Sequence, residues 1–310
     1  MNKAIVTGGA GFIGSHLAEG LVKRGYRVAI LDDLSTGKMG NIEGLLSRKS
    51  ADFVRGSVLD LALLMELFQD TQYVFHQAAI PSVPRSIENP MATHEANATG
   101  TLNVLFAAAQ RKAKKVIYAS SSSAYGDTPT LPKKEDMSPD PQSPYAVSKL
   151  AGEYYGQVFQ KVYGLPSACL RYFNVYGPRQ DPHSEYAAVI PKFIQRTLAG
   201  EPPVIFGDGE QTRDFTFVLD VVEANILAAE SEAAGVFNIG RGERISINQL
   251  AGLIIKLTGS NVRPDHRKER PGEIKHSLAD ISRARGFGFE PKWGLEKGLR
   301  ETIRRFQGEK

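Results

Sequence analysis

A glycine-rich turn at the N-terminus constrains this chain more than any other feature. Gly8, Gly11 and Gly14 follow a β-branched run at residues 3–6 and open a segment, residues 13–24, with the apolar spacing of a helix. In this context Gly8 permits a tight turn, Gly11 lets the backbone approach a pyrophosphate, and Gly14 lets helix and strand pack closely. The free N–H groups at the helix start favour phosphate. A plain structural turn is the alternative, but the context favours a dinucleotide site.

Asp32 follows the second predicted strand, residues 27–31, and lies 18 positions after Gly14. A carboxylate there can accept hydrogen bonds from both hydroxyls of an adenine ribose, and it repels the 2′-phosphate of NADP. The sequence therefore favours NAD as the dinucleotide. A helix cap or a turn aspartate is the structural alternative. Both roles can coexist in one side chain, and Asp33 could share either.

Strands and helices alternate through the first half of the chain. Strands are predicted at 3–6, 27–31, 53–55, 73–77, 115–120 and 168–172, and helices at 13–24, 61–68, 91–111 and 145–163. This order predicts an α/β fold of the Rossmann type, a doubly wound parallel sheet that binds ligands at the carboxyl ends of its strands. Pro and Gly become frequent later, so we divide the chain into a cofactor-binding domain, 1–173, and a smaller C-terminal α/β substrate-binding region, 174–310, with interleaved boundary segments.

Composition excludes several classes of protein. The 310 residues carry a net charge of +4, and the densest basic stretch, 263–270, is short, which argues against nucleic acid and suits an anionic small substrate. A single cysteine, Cys169, allows no intrachain disulfide and fits a reducing compartment. The N-terminus lacks a signal-peptide pattern, and no apolar run approaches the ~18 residues of a membrane span. We expect a soluble cytoplasmic protein without a metal site.

Serines occupy positions 120–123, directly after a predicted strand, and Tyr145 and Lys149 are four residues apart on one face of a predicted helix. An ammonium beside a phenol stabilises the phenolate, so we expect Lys149 to lower the pKa of Tyr145 from about 10 toward neutrality and make it a general base. A Tyr and a Lys at this spacing are commonplace. The glycine turn and the serines favour the catalytic interpretation.

Six segments extend the pattern over the whole chain: TGGAGFIG, SSSAYG, YAVSK, LRYFNVYGPR, GDGEQTRDF and RPGEIKHS. In these segments and their order, the chain resembles the extended short-chain dehydrogenases/reductases, and among them the UDP-sugar 4-epimerases. The segments SVPRS, RQDP and YAAVIP are similar to those of bacterial UDP-N-acetylglucosamine 4-epimerases.

The resemblance implies epimerisation at C4 of a UDP-sugar, with tightly bound NAD that is regenerated in each turnover. Tyr145 would take the proton of the sugar 4-OH while the C4 hydride passes to NAD. The resulting 4-keto sugar would turn over and receive the hydride on its other face. Alignment of the serines makes Ser121 the catalytic serine, with Ser122 and Ser123 touching the sugar. Lys149 would also bond the nicotinamide ribose.

Binding residues follow from the same resemblance. Beyond the glycines and aspartates above, it implies cofactor contacts at Phe12, Ile13, Ser35, Thr36, Gly37, Ser57, Val58, Gln77, Ala78, Ala79, Asn97, Tyr145, Lys149 and Tyr172. It implies substrate contacts at Ser82, at Asn174 for the diphosphate, at Ala188 and Val189 for the nucleotide, at Val204 and Phe206 for uracil, at Arg213 and Arg270 for the phosphates, and at Glu273 for the uridine ribose. An ion pair with Asp214 is the alternative for Arg213, and a solvated surface charge is the alternative for Arg270.

Related reactions need side chains that differ from those present. Sugar 4,6-dehydratases carry an acidic pair after the catalytic Ser or Thr, and UDP-glucuronate decarboxylases carry a Glu after the serine, whereas this chain has Ser122 and Ser123. Ser277 aligns with a gatekeeper beside the sugar C2 substituent, where a Tyr restricts the pocket to non-acetylated sugars. The small serine favours UDP-GlcNAc and UDP-GalNAc, with UDP-Glc and UDP-Gal as well, unless a neighbouring side chain fills the gap.

Three other functions stay open. They are a UDP-glucuronate 4-epimerase, for which Arg85 is the nearby cation, a reductase or synthase on a nucleotide sugar, and a non-catalytic NAD-binding regulator. The resemblance also implies a homodimer through a four-helix bundle of helices 91–111 and 145–163. Candidate contacts are Leu102, Leu105, Phe106, Tyr154 and Phe159, although core packing explains apolar stripes equally well.

Overall fold

A computed structural model describes residues 2–182, 188–269 and 274–308. The strands are β1 (Lys3–Thr7), β2 (Arg27–Asp32), β3 (Ala51–Arg55), β4 (Tyr73–His76), β5 (Lys115–Ser121), β6 (Ser167–Tyr172), β7 (Val175–Tyr176), β8 (Val204–Phe206), β9 (Thr212–Arg213), β10 (Thr216–Phe217), β11 (Gly235–Ile239), β12 (Ile245–Ser246) and β13 (Asp265–Arg267). The helices are α1 (Phe12–Lys23), α2 (Glu43–Ser47), α3 (Leu61–Leu67), α4 (Val83–Glu88), α5 (Pro90–His94), α6 (Gly100–Gln110), α7 (Pro144–Tyr163), α8 (Val189–Leu198), α9 (Val218–Glu230), α10 (Ile247–Thr258), α11 (Ser282–Arg285) and α12 (Leu295–Phe306).

A seven-stranded parallel sheet forms the centre of the molecule, in the order β11-β6-β5-β4-β1-β2-β3. Helices α1 and α9 pack together on one face, and α3, α6 and α7 cover the other. Apolar runs such as Ala4–Val6 are fully buried because both faces of the sheet are covered. The predicted Rossmann-type fold is confirmed, and each predicted strand is present with ends shifted by at most two residues.

The two long predicted helices are present close to their predicted bounds. The Ser143 hydroxyl caps α7 by accepting from the Ala146 N–H at 3.2 Å, and Gly164 ends this helix with a left-handed φ of 65°. Residues 90–110 are continuously helical, but a π-turn at Glu95–Thr99 joins α5 to α6. Such an extra residue in a helical turn redirects the side chains around it.

The C-terminal region is built from short strand pairs on a separate apolar core. β7 pairs with β10, β8 with β13 and β9 with β12. Helices α8, α10 and α12 pack together and contribute Phe193, Leu250 and Leu299 to a shared apolar core. The chain also returns to the first sheet, because β11 pairs with β6 and α9 packs against α1. The boundary at residue 174 is therefore crossed by elements from the second half of the sequence. No helix among the described residues is long and apolar enough to cross a membrane.

Candidate active site

The glycine turn lies between β1 and α1 and is fixed by close backbone packing. Gly8 has a φ of 66°, and a Cβ there would stand 2.7 Å from the Ala78 Cα. A Cβ on Gly14 would collide with the Gly8 carbonyl oxygen. The Gly8 N–H donates to the Leu31 carbonyl at 2.8 Å, which ties the turn to β2. The N-terminus of α1 is thus pressed against the sheet edge, where its amides face a groove.

Asp32 ends β2, and its carboxylate accepts from two backbone amides. One oxygen accepts from the Ala10 N–H at 2.9 Å and the other from the Leu34 N–H at 2.8 Å. Burial raises the pKa of Asp32, while these amides act in the opposite direction. The turn role and a place in the groove wall coexist in this side chain, because each oxygen keeps a further lone pair for a ligand.

One continuous groove runs from Asp32 to Tyr145 along the carboxyl ends of the strands. The cofactor residues expected from the sequence that line it are Gly8, Gly11, Phe12, Ile13, Gly14, Asp32, Asp33, Ser35, Thr36, Ser57, Val58, Gln77, Ala78, Ala79, Tyr145, Lys149 and Tyr172. Wall residues that the sequence analysis missed are Leu31, Gly56, Leu59, Ile80, Pro81, Ala96, Ala119 and Ser120. Leu31, Ala119 and Ser120 lie at the carboxyl ends of β2 and β5 and Gly56 directly follows β3, positions that could have identified these four.

Gly37 and Asn97, two of the expected cofactor residues, do not line the groove. A Cβ on Gly37 would stand 2.6 Å from an Asp32 carboxylate oxygen, so the glycine makes room for that carboxylate. Asn97 is buried at the π-turn, where its oxygen accepts from the Ile80 N–H at 2.8 Å and its amide donates to the Ser148 hydroxyl at 3.0 Å. Asn97 therefore holds the wall residue Ile80, and Gly37 leaves space for the wall residue Asp32.

Tyr145 and Lys149 meet the groove from the first two turns of α7. The Lys149 ammonium donates to the Ala119 carbonyl at 2.8 Å and lies 5.1 Å from the centre of the Tyr118 ring. Burial lowers the pKa of Lys149 to about 7. Burial also raises the pKa of Tyr145, and the hydrogen bond with Ser121 opposes that shift. The expected lowering of the Tyr145 pKa by Lys149 is therefore wrong for this structure, since desolvation of the phenol dominates.

The serine run leaves the sheet as a single 3₁₀ turn, Ser122–Tyr125. The Ser121 hydroxyl caps this turn: it accepts from the Ser123 N–H at 3.2 Å and from the Ser123 hydroxyl at 2.9 Å. Ser121, Ser123 and Tyr145 thus form a hydroxyl cluster at one end of the groove. Such a cluster can hold a substrate hydroxyl and move its proton.

A second cavity of about 740 Å³ lies in the C-terminal region. Its wall includes the expected substrate residues Asn174, Ala188, Val189, Val204, Phe206 and Arg213. It also includes five polar or charged residues that were not expected from the sequence: Lys192, Gln195, Arg196, Gln211 and Arg267. The i, i+4 spacing of Lys192 and Arg196 on α8, and the position of Arg267 in the basic stretch, were the available signals.

Four further expected substrate residues have different positions. Arg270 and Glu273 lie outside the described residues. Ser82 caps α4 by accepting from the Arg85 N–H at 3.2 Å, next to Pro81 in the groove wall. Ser277 is half-buried beside β9, and its N–H donates to the Thr212 carbonyl at 3.0 Å. Neither Ser82 nor Ser277 belongs to the wall of either cavity in the described part of the chain.

The sequence left an ion pair between Arg213 and Asp214 as an alternative. In the structure, the Asp214 carboxylate is bound by backbone N–H groups. Its carboxylate is fully buried and accepts from the N–H groups of Arg241 at 2.8 Å, Gly242 at 3.0 Å and Ala279 at 3.2 Å. Arg213 donates to the carbonyls of Thr212 and Lys275. Asp214, which lies between the cavity residues Arg213 and Phe215, therefore joins the segments at residues 241–242 and 279 to its own.

The chain is similar to a known protein family and to proteins of solved structure. The model of the NAD dependent epimerase/dehydratase family matches residues 4–240. A UDP-N-acetylglucosamine 4-epimerase from Methanobrevibacter ruminantium M1, solved in complex with UDP-N-acetylmuramic acid, is 44% identical with a TM-score of 0.96, and the match covers 99% of this chain and 98% of that one.

Two curated relatives carry different activities at similar identity. A UDP-glucose 4-epimerase of Mycolicibacterium smegmatis is 38% identical over 310 residues, covering 98% of each chain. A UDP-N-acetyl-α-D-glucosaminuronate decarboxylase of Bacillus cytotoxicus is 40% identical over 320 residues, again covering 98% of each. Overall identity therefore does not separate these reactions.

Proposed function

This chain belongs to the NAD dependent epimerase/dehydratase family, and we propose that it epimerises UDP-sugars at C4. One observation carries the proposal: a single groove joins Asp32 to Tyr145 and Lys149, and the Tyr145 hydroxyl is hydrogen-bonded to Ser121, which lies just outside the groove wall. The UDP-sugar 4-epimerases among the similar proteins support it.

The groove suits NAD. Gly8, Gly11 and Gly14 place no Cβ on the groove wall where a pyrophosphate would meet the α1 N-terminus, and Asp32 favours an unphosphorylated ribose. Asp32, Ser57 and Gln77 would hold successive parts of the dinucleotide, with Lys149 at the nicotinamide end. Bound NAD would supply the hydride acceptor and donor that inversion at C4 requires. Tight retention would let the same cofactor serve each turnover.

The chain's own residues would handle the proton of the sugar 4-OH. Tyr145 would accept this proton and return it, and the Ser121 hydroxyl would hold the 4-oxygen in hydrogen-bonding range. Because burial raises the pKa of Tyr145, the hydrogen bond from Ser121 is needed to favour the phenolate. Lys149, bound to the Ala119 carbonyl, would orient the cofactor ribose.

Ser122 and Ser123 favour epimerisation over elimination or decarboxylation. Neither side chain is a carboxylic acid, and Ser123 donates its hydroxyl to Ser121. A dehydratase needs an acid and a base at this turn, whereas a C4 epimerase needs neither. This difference supports epimerisation although a decarboxylase is 40% identical to the chain.

We expect the acetylated pair UDP-GlcNAc/UDP-GalNAc to be accepted together with UDP-Glc/UDP-Gal, because Ser277 is small. The test is ¹H NMR of UDP-GlcNAc, UDP-Glc and UDP-GlcA, each incubated with enzyme and without added NAD. C4 epimers of the first two support the proposal. Epimerisation of UDP-GlcA alone would favour a UDP-glucuronate 4-epimerase. Net release of NADH would favour a reductase or synthase, and the absence of turnover would favour a non-catalytic regulator.

A substitution pair tests the substrate range. Ser277→Tyr should remove activity on UDP-GlcNAc and retain activity on UDP-Glc, since the ring would fill the space of an acetamido group. Ser277→Ala is the matched control and should keep both. Equal loss of both activities in the tyrosine variant would contradict a gatekeeper at this position.

We further propose that two copies pair through α6 and α7. Val147, Tyr154 and Val158 form an apolar strip along α7 that is about half exposed, at 53%, 52% and 48%. Phe106 extends it from α6, whereas Leu105 and Phe159 are core residues and the expectation of contacts there is wrong. Val158→Glu should give a monomer in sedimentation velocity, and Leu219→Glu, on exposed α9 surface, should not. A monomeric wild type would refute the dimer.

A further inference from the structure

A third residue continues the face of α7 that carries Tyr145 and Lys149. Glu153 follows Lys149 by four residues, and its side chain is 1% exposed. One carboxylate oxygen accepts a short hydrogen bond from the Ser120 hydroxyl and a second from Arg171 Nε at 2.8 Å. The other oxygen accepts from Arg171 Nη2 at 2.7 Å. Glu153 thus contacts β5 through Ser120 and β6 through Arg171, one helical turn after Lys149.

Arg171 connects this face of α7 to the serine turn. It lies on β6 in register with Ser120 on β5, and its side chain is 3% exposed. Its guanidinium stands over the ring of Tyr125, 4.5 Å from the centre. Tyr125 is the last residue of the 3₁₀ turn and donates its hydroxyl to the Asn238 side chain at 2.7 Å. One guanidinium therefore contacts both the helix and the turn.

Stability alone does not account for this pair. Burying two charges costs several kcal/mol for each, and well-packed apolar residues of similar size are often as stable or more stable. The pair also leaves Arg171 Nη1 without a hydrogen-bond partner among the described residues, which adds to the cost. What a two-point bond between planar groups supplies is a fixed relative position.

We propose that Glu153 and Arg171 are positioning residues that set the rotation and height of α7 against β5. In this position the Tyr145 hydroxyl reaches Ser121 and the Lys149 ammonium reaches the Ala119 carbonyl. Through Tyr125, Arg171 also holds the turn that carries Ser122 and Ser123. The inference rests on the proposed function for its catalytic consequence, and on the contacts above for the geometry.

Three variants separate positioning from folding. Glu153→Gln keeps the shape of the side chain but removes its charge, and Arg171→Lys keeps the charge but removes the fork. The double variant Glu153→Met/Arg171→Met removes both buried charges and should fold with a melting temperature near that of the wild type. We expect kcat of the double variant to fall by roughly 10- to 100-fold, with KM changed less than about twofold. A stable double variant whose kcat equals that of the wild type would overturn the proposal.

A readout that does not depend on turnover uses protein labelled with [¹³Cζ]tyrosine. Its Tyr145 signal is assigned by its loss in Tyr145→Phe. The chemical shift reports the hydrogen bond of this hydroxyl, so it should move in the double variant and stay fixed in Glu223→Gln, which alters an exposed ion pair with Arg24. An unmoved signal would also overturn the proposal. If the wild type epimerises no UDP-sugar, the proposed function fails while this comparison still tests the geometry.

Discussion

The two cavities of this molecule are made by different means. The groove is lined by segments that each follow a strand of one parallel sheet, and its closest approaches are backbone against backbone, as at Gly8 and Ala78. The second cavity is lined by α8 and by short strands that pair over long sequence distances, and cationic side chains provide much of its polarity. The difference teaches that backbone geometry shapes the first site and side-chain identity shapes the second.

The largest effect should come from adding one methyl group to the groove. In Gly14→Ala the new Cβ would meet the Gly8 carbonyl and the Gly9 Cα, so the turn must open. We expect NAD affinity to fall by more than about 100-fold, because the α1 amides lose their position. Equilibrium binding of NAD to stripped protein measures this.

A matched glycine lies in the other region. A Cβ on Gly252, within α10, meets nothing within 4 Å, so Gly252→Ala should raise the free energy of unfolding by roughly 0.5–1 kcal/mol and leave NAD affinity unchanged. If the two alanine variants bound NAD equally well, backbone geometry would not be what shapes the groove.

Acid should act on the two regions with opposite sign. Burial lowers the pKa of His76, between Thr7 and Thr101 behind the groove, to about 3. The unfolded chain then binds more protons than the native state. The contribution of neutral His76 to the free energy of unfolding is therefore lost as pH falls below about 6.5. Burial raises the pKa of Asp214, beside the second cavity, to about 6. The native state binds more protons there, so the contribution is present at pH 4 and is lost as pH rises through about 6.

Urea unfolding of His76→Asn and Asp214→Asn at pH 7 and pH 4 tests these signs. The destabilisation caused by His76→Asn should shrink toward pH 4, and that caused by Asp214→Asn should grow, each by about 3 kcal/mol at most. Parallel pH dependence of the two variants would contradict the assigned shifts.

A smaller effect on ligand binding should come from a charge-conserving change in the second cavity. Arg213→Lys keeps the positive charge but loses the planar fork, so we expect the Kd for UDP to rise by about tenfold with NAD affinity unchanged. Arg24→Lys, at an exposed ion pair directly after α1, is the control and should alter neither affinity. Unchanged UDP affinity in Arg213→Lys would remove this residue from the phosphate site.

The features that could be predicted from the sequence follow the same division. The turn at Gly8–Gly14 and the carboxylate at Asp32 are local patterns whose geometry follows from the strand before them, so their place in one groove could be predicted. Asn97 could not be placed, because its position depends on a π-turn that packing imposes. The pKa of Tyr145 could not be predicted either, since burial decides it and burial is a property of the assembled fold.

The C-terminal region was predicted in outline and missed in detail. Arg267 reaches the second cavity because β13 pairs with β8, some 60 residues earlier, and no local pattern announces that pairing. The Glu153–Arg171 pair was missed for a related reason. Each residue looks like an ordinary surface charge until β6 and α7 are packed together.

The return of β11 to the first sheet bears on how the chain is made. During synthesis on the ribosome, residues 1–173 emerge with the outer edge of β6 unpaired and with the face of α1 that packs on α9 uncovered. An open strand edge and an apolar helix face are sites of association between nascent chains. The first sheet therefore receives its seventh strand only after residue 239 has left the exit tunnel, and until then β6 is an edge strand of a six-stranded sheet.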